Sequence, residues 1–342
     1  MINVLHYPVS MNSYNENLSS ALKAYGFRVM PLKYRKEFFK EVLMGHSKIL
    51  HFHWPIEITA PRTFFFASLS CLAFIFAIII FKLRGGKVFW TLHNVEPHEV
   101  RYPVLEDLIH RFLLKISDYI FIHGNGAIRE VLLKYNIDIQ KKSRLTLHGN
   151  YPEFIHIKPV SKIINRPLRL LCIGNIREYK GFSNFLRAAI HFEPSKIQVT
   201  IAGKSNSLKI SDEIKCISRN HSNIEIIDKF LSTSEMCKLL EWSDYVALPY
   251  KKIHTSGVAV MALSAARPMI APNLGLIPEY VDDSCALLID SSSEKELIDA
   301  IQQALEDIGR IPRMSRAARA RGNQLNWACA AKTISDSYRG LN

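Results

Sequence analysis

Short apolar runs and helical patterns alternate along nearly the whole of this 342-residue chain, and no other feature constrains its fold as strongly. In the first half, runs at 2–7, 28–32, 49–53, 88–93, 119–123 and 144–148 read as strands. Segments at 15–25, 35–44, 61–83, 104–117 and 126–135 read as the helices between them. Strand, helix and strand in strict succession make βαβ units, and these imply a parallel sheet covered on both faces. A second series begins at Leu168, with strands expected at 168–173, 197–202, 224–227, 245–248, 269–271 and 286–288. Its helices are expected at 182–192, 212–220, 234–242, 257–266 and 294–308. The stretch 152–167 between the series is irregular and basic, as a linker is, and 314–338 reads as a terminal helix rich in Ala and Arg.

Two doubly wound α/β domains are therefore expected, and the length agrees, because one core rarely serves so many residues. We divide the chain into 1–155, 156–315 and a terminal helix over 316–342 that packs near the domain junction. The formal charge of +13 calls for an anionic partner: nucleic acid, an anionic membrane surface or phosphorylated substrates. Zinc-finger spacing, a recognition-helix pattern and an RNP aromatic signature are lacking, so nucleic acid is the weakest of the three and is not expected as a partner. Six cysteines without CxxC spacing read as buried thiols of a reducing compartment, and the N-terminus lacks signal-peptide features.

Ligands of such sheets bind beyond the carboxyl ends of the strands. In the second series this rule selects Gly174, Asn175, Arg177 and Lys180, in a turn that runs from a strand into a helix at Gly181. Unpaired N–H groups and the helix dipole suit that turn to an anion, and its two cations suit a diphosphate. The same rule adds Gly203 and Lys204, Tyr250, and the helix start at Thr255, Ser256 and Gly257, where Ser256 is equally a plain helix cap. In the first series it selects His53 and Trp54, His93 and Asn94, His98 and Glu99, His123 and Asn125, and His148. Histidine recurring along one edge suggests a polar cleft for hydroxyl-rich ligands. HExxH, GxSxG, GxGxxG and Walker patterns are all absent, so zinc-protease, hydrolase, nicotinamide and ATPase readings lack support.

Residues 64–81 carry no charge and are followed by Lys82 and Arg84. The length suffices to span a bilayer, but the helix must return to the sheet it left. Two readings remain open: a buried helix, or a monotopic contact with Lys82, Arg84 and Lys87 on anionic headgroups.

With these motifs the chain resembles the GT-B glycosyltransferases, enzymes of two Rossmann-like domains facing across a cleft. The second half is similar to the family-4 type in the loop 174–181 and in the series Tyr250, Ser256-Gly257, Arg267-Pro268-Met269-Ile270-Ala271-Pro272 and Ile277-Pro278-Glu279. It departs where that type carries two glutamates, since those positions hold Ile253 and Met261. The stretches Phe52-His53-Trp54-Pro55 and Trp90 to Glu99 are closer to bacterial exopolysaccharide transferases of the xanthan β-mannosyltransferase kind. The resemblance implies an inverting transfer of sugar from a nucleoside-diphosphate sugar (GDP-mannose or a UDP-sugar) to a polyprenyl-diphosphate-linked glycan. It implies a peripheral position at the cytoplasmic membrane face, with neither cofactor nor metal.

On this reading the donor contacts are Gly174, Asn175, Arg177, Lys180, Gly203, Lys204, Tyr250, Thr255, Ser256, Gly257 and Glu279. Glu279 caps its helix or touches the donor, and both roles stay open. Acceptor contacts are His53, Trp54, His93, Asn94, His123 and Asn125, and the general base is Glu99 or His98. The alternatives are a catalytically inactive GT-B-like partner subunit that binds lipid-linked glycan or another transferase, and a sugar-phosphate epimerase of similar fold.

Overall fold

The computed structural model describes residues 1–9, 13–96, 101–161, 163 and 165–340. The chain divides into two compact units, Met1–Gly149 with Asn326–Asn342, and Asn150–Leu325.

The first unit begins with β1 (Ile2–Tyr7), α1 (Ser13–Ala24), β2 (Phe27–Pro31), α2 (Arg35–Met44) and β3 (Ile49–Phe52). It continues with α3 (Phe64–Leu83), β4 (Lys87–Leu92), α4 (Pro103–Ile116), β5 (Tyr119–Ile122), α5 (Gly126–Tyr135) and β6 (Ser143–Leu145). These strands form one sheet in the order β2-β1-β3-β4-β5-β6, parallel throughout. The period-two alternation of each strand divides its side chains between two cores. Val88, Trp90 and Leu92 face α2, α3, α4 and α5, whereas Phe89 and Phe121 face Tyr14, Leu18 and Leu22 of α1.

The second unit comprises β7 (Leu168–Ile173), α6 (Phe182–Ala189), β8 (Ile197–Ala202), α7 (Leu208–Ser218), β9 (Ile224–Ile227), α8 (Thr233–Trp242) and β10 (Tyr245–Ala247). After these come α9 (Gly257–Ser264), β11 (Met269–Pro272), α10 (Ile277–Tyr280), β12 (Ala286–Ile289), α11 (Glu294–Glu306) and α12 (Ile311–Gln324). Its sheet is again parallel, in the order β12-β11-β10-β7-β8-β9. The last helix, α13 (Trp327–Arg339), belongs to the first unit, where Trp327, Ala331, Ile334 and Tyr338 join the α1 core.

Two parallel doubly wound sheets are thus what the alternation predicts. The single terminal helix expected over 314–338 is instead two helices, broken at Leu325. Asn326 starts the second of them, its side-chain oxygen accepting from the Ala328 N–H at 2.7 Å. The expected strand at 144–148 ends at Leu145, which leaves His148 beyond it.

The apolar run is α3, capped by the Thr63 hydroxyl, which accepts from the Phe66 N–H. One face, with Ala67, Cys71, Phe74, Ala77, Ile78 and Phe81, is buried against the sheet and its neighbouring helices. Burying Phe74, Ile78 and Phe81 contributes about 2 kcal/mol each. The other face leaves Phe64, Phe65, Phe66, Leu69, Leu72 and Phe76 exposed. At its end Lys82 pairs with Asp118 at 2.7 Å, and Asp118 also accepts from the Val88 N–H, so the chain turns back onto the sheet as β4.

Candidate active site

In the second unit, the loops after β7, β8 and β10 meet through backbone contacts. The Gly174 N–H donates to the Ala202 carbonyl at 2.9 Å, and Ile176 to Lys204, also at 2.9 Å. Gly181 has φ +68°, and a Cβ there would lie 1.9 Å from the Pro249 carbonyl oxygen, so only glycine lets the chain enter α6 at this point. Gly174 has φ +105°, and a Cβ on it would come within 3.0 Å of Lys180 Nζ and 3.3 Å of a Val258 methyl group. The missing side chain therefore leaves room for the ammonium group against the backbone turn.

Lys180 is buried at 8% exposure, with Nζ 5.7 Å from the centre of the Tyr250 ring and 6.0 Å from that of Phe182. Burial, and after it the Arg177 guanidinium, lower its ammonium from 10.5 to about 8. A dianionic diphosphate would relieve both. Ser256 caps α9 by accepting from the Ala259 N–H at 3.1 Å, and its hydroxyl donates to Tyr250 Oη at 3.5 Å. Gly174, Lys180, Tyr250, Ser256 and the start of α9 thus come together, as the sequence reading grouped them.

Asn175 and Gly257 are exposed, and Arg177 and Thr255 are half-buried. Gly203 is buried, and a Cβ on it would meet the Gly174 carbonyl. Lys204 reaches Asp228 at 3.6 Å. Asp228 also accepts from the Ser205 N–H and the Ser211 hydroxyl, and these bonds with Lys204 hold its carboxyl down at about 2 despite opposing burial. Glu279 is half-buried on α10, whose approach is set by the Leu276 N–H donating to the His254 carbonyl at 2.8 Å. Sequence reasoning missed Tyr151, whose hydroxyl lies 2.9 Å from where a Gly257 Cβ would stand. It also missed Asp228, although Asp228 directly follows β9, where the strand-end rule looks.

In the first unit the histidines do not line an open surface. His6, His51, His53, His93, His123 and His148 are all buried. Five of them join one hydrogen-bonded chain whose proton positions follow from its carbonyl end. The Thr146 carbonyl only accepts, so His123 Nδ1 donates to it at 2.7 Å. His123 Nε2 then accepts from His93 Nδ1 at 3.3 Å, and His93 Nε2 accepts from His53 Nδ1 at 3.3 Å. His53 Nε2 accepts from His6 Nδ1 at 3.0 Å, and His6 Nε2 from the Tyr338 hydroxyl at 3.2 Å. The Tyr338 oxygen accepts from His51 Nδ1, and His51 Nε2 from the Thr91 hydroxyl at 2.7 Å.

Read in this direction, each ring of the chain carries a proton on Nδ1, and His6, His51 and His53 are neutral. Burial lowers His6 to about 3, and separately His148 to about 4, and holds His51 and His53 well below 6.5. Ligand nitrogens of His6, His51 and His53 lie within 4.8 Å of one another, a set able to hold a metal ion. In the structure, however, both nitrogens of each ring already face a hydrogen-bond partner.

Of the expected acceptor contacts, His53, His93 and His123 are therefore inside this chain. Trp54 is half-buried and stacks on His93 at 4.1 Å, Asn94 is half-buried, and Asn125 is exposed at the start of α5. The expected general bases Glu99 and His98 lie outside the described residues.

Residues 167–307 match the family described as glycosyl transferases group 1. A GDP-mannose:glycolipid 4-beta-D-mannosyltransferase of Xanthomonas campestris pv. campestris is 24% identical over 84% of this chain and 79% of its own. The chain is a glycosyltransferase of the GT-B fold. Solved structures share that fold over the whole length. Sucrose-phosphate synthase from Thermosynechococcus elongatus superposes with a TM-score of 0.74 at 15% identity, covering 100% of this chain and 99% of that one. Anabaena Alr3699/HepE, solved in complex with UDP and glucose, superposes with a TM-score of 0.75 at 12% identity, covering 100% of both chains. In this transferase the two positions that family-4 enzymes fill with glutamate carry no carboxylate. Met261 is buried within α9, and Ile253 is half-buried in the loop before it.

Proposed function

We propose that this glycosyltransferase moves a sugar from a nucleoside-diphosphate sugar, GDP-mannose or a UDP-sugar, to a lipid-linked oligosaccharide in bacterial exopolysaccharide or surface-glycan synthesis. The observation that carries this reading is the Lys180 ammonium held against the Gly174 turn, with Arg177 beside it. A departing nucleotide diphosphate gains negative charge as the glycosidic bond breaks, and fixed cations in a partly dry site stabilise that charge without a metal. An inverting transfer further needs a base to take the proton of the acceptor hydroxyl as its oxygen attacks the anomeric carbon. Glu99 or His98 fills that role in this proposal. Similarity to the Xanthomonas glycolipid mannosyltransferase supports a lipid-linked acceptor.

The exposed face of α3 supports a peripheral, monotopic position at the inner face of the cell membrane. Its three successive phenylalanines stand outward on a chain of net charge +13, a combination that suits an anionic bilayer surface. Co-sedimentation with anionic vesicles tests it: Phe65→Glu with Phe66→Glu releases the protein, and unchanged binding refutes this contact.

Ile253 and Met261 in the glutamate positions favour one rival, a GT-B-shaped partner subunit without turnover. Incubation with a panel of nucleotide-sugars and membrane lipid extract separates the two readings. Release of nucleotide diphosphate with one donor supports the transfer proposed here. Folded protein that binds lipid yet releases none with any donor supports the rival.

A further inference from the structure

In the second unit, the amino ends of β7 and β10 meet the end of α8 around a cavity of about 330 Å3. Lys158, Arg166, Arg169, Trp242, Asp244 and Arg267 line it. Asp244 is buried and its charge is already taken. Its two carboxylate oxygens accept from Arg166 at 2.7 Å each, and one of them also accepts from the Arg169 backbone N–H. Arg267, equally buried, donates to the backbone carbonyls of Leu240, Lys158, Ala265 and Ala266 rather than to a carboxylate. Burial lowers its guanidinium from 12.5 to about 10, so an anion nearby would stabilise the charge it carries.

Two further cations stand ready for a ligand. The half-buried Arg169 places its guanidinium over the Trp242 ring, 5.5 Å from the ring centre, and no carboxylate pairs with it among the described residues. The exposed Lys158 ammonium likewise pairs with no carboxylate among the described residues, while its carbonyl is fixed by Arg267 at 2.9 Å.

Four cations thus face two carboxylates, Asp244 and the exposed Glu241. That surplus disfavours a metal ion and matches a dianion. The volume lies at the lower end for a small-molecule site, which fits one compact ligand. Trp242 packs against the core and holds the guanidinium of Arg169 over its ring. A guanidinium pre-set in this way offers the planar N–H donors that phosphate oxygens accept. Gly174 and the loop that follows it lie at the opposite end of β7, roughly 17 Å from Arg169 at the rise of a parallel strand.

We infer that this cavity binds the phosphate group of a phosphate monoester, between the Arg169 guanidinium and the Lys158 ammonium and beside the buried charge of Arg267. The inference goes beyond the transferase reading and does not depend on it, because the cavity shares no residue with the loop 174–181. A soluble sugar phosphate and a phosphatidate headgroup present this same dianion.

The test is calorimetric titration of the full chain at pH 7.5 with inorganic phosphate and with glucose 6-phosphate, together with co-sedimentation on phosphatidate vesicles. Saturable binding of at least one probe is expected. Lys158→Glu, at an exposed position, and Arg169→Gln each weaken it about tenfold or more. Lys209→Glu, an exposed position on α7, leaves it unchanged, and Lys180→Ala does the same because it alters only the far end of β7. Phosphatidylglycerol vesicles of matched charge decide the source. A preference for phosphatidate that Lys158→Glu abolishes names a lipid headgroup, and saturation by glucose 6-phosphate without that preference names a soluble monoester. Absence of binding by the unaltered protein with every probe overturns the inference. So does binding that survives in folded Lys158→Glu and Arg169→Gln, or that Lys209→Glu weakens equally. Nucleotide-diphosphate release, measured in parallel, bears on the transferase reading alone.

Discussion

The Tyr338 hydroxyl, near the end of α13, donates to His6 Nε2 on β1 at 3.2 Å, although 332 residues separate the two in sequence. The same oxygen accepts from His51 on β3. One phenol thus completes a chain of buried histidines across the carboxyl ends of the central strands, and ties the terminal helix to the sheet. The histidine rings at these strand ends are buried and bonded to one another rather than set along an open surface.

Tyr338→Phe leaves His6 Nε2 without a donor and His51 Nδ1 without an acceptor, both in the core. The expected loss is about 2–5 kcal/mol of unfolding free energy, read from the urea midpoint at pH 7.5. A midpoint within error of the unaltered protein would show that the bridge adds nothing to stability.

Acid should unfold this protein early. His6, His51, His53, His110 and His148 all titrate below 6.5 in the folded chain because burial disfavours their charged forms. The unfolded chain takes up protons at these rings near pH 6.5 and the folded chain does not, so stability is full above that pH and lost as pH falls towards 4. At pH 5 the slope approaches roughly 1.4 kcal/mol per pH unit for each ring. Thermal midpoints measured from pH 7.5 to 4.5 check it, and a flat profile contradicts it.

Donor use should decline with rising pH. In the proposed donor site Lys180 holds a diphosphate only when protonated, and its folded value is lowered to about 8. kcat/KM for the nucleotide-sugar, which reports the free enzyme, is expected to fall above that pH. Lys180→Arg moves the decline upward. An identical profile in Lys180→Arg removes this residue as the titrating group.

Gly181→Ala puts a methyl group against the Pro249 carbonyl oxygen at a backbone angle of φ +68°. The left-handed geometry alone costs about 1 kcal/mol, and the collision adds to it by moving the loop that carries Lys180. The KM for donor is expected to rise about tenfold or more, measured against the acceptor-independent release of nucleotide. Unchanged KM would mean that this turn does not set the position of the donor.

Much of this architecture is legible in the sequence because parallel strands buried on both faces are continuous apolar runs. Ile173 followed by Gly174, or Ala202 followed by Gly203, marks the end of a strand without reference to any partner. The proposed donor loop is legible for the same reason, since its residues lie within eight consecutive positions, from Gly174 to Gly181. The histidine edge is not, because residue type and spacing cannot show which ring nitrogen faces which neighbour. His53 and His93 look like cleft residues until the distant Tyr338 and the Thr146 carbonyl fix the direction of the hydrogen bonds.

The most direct measurement is nucleotide-diphosphate release with the preferred nucleotide-sugar and lipid acceptor, comparing the unaltered chain with Lys180→Ala. Losing the buried cation that this proposal sets against the leaving group is expected to lower kcat/KM by about 100-fold or more, with folding confirmed by an unchanged thermal midpoint. Near-normal release by Lys180→Ala would contradict the assignment of this loop to the donor diphosphate, and with it the central claim.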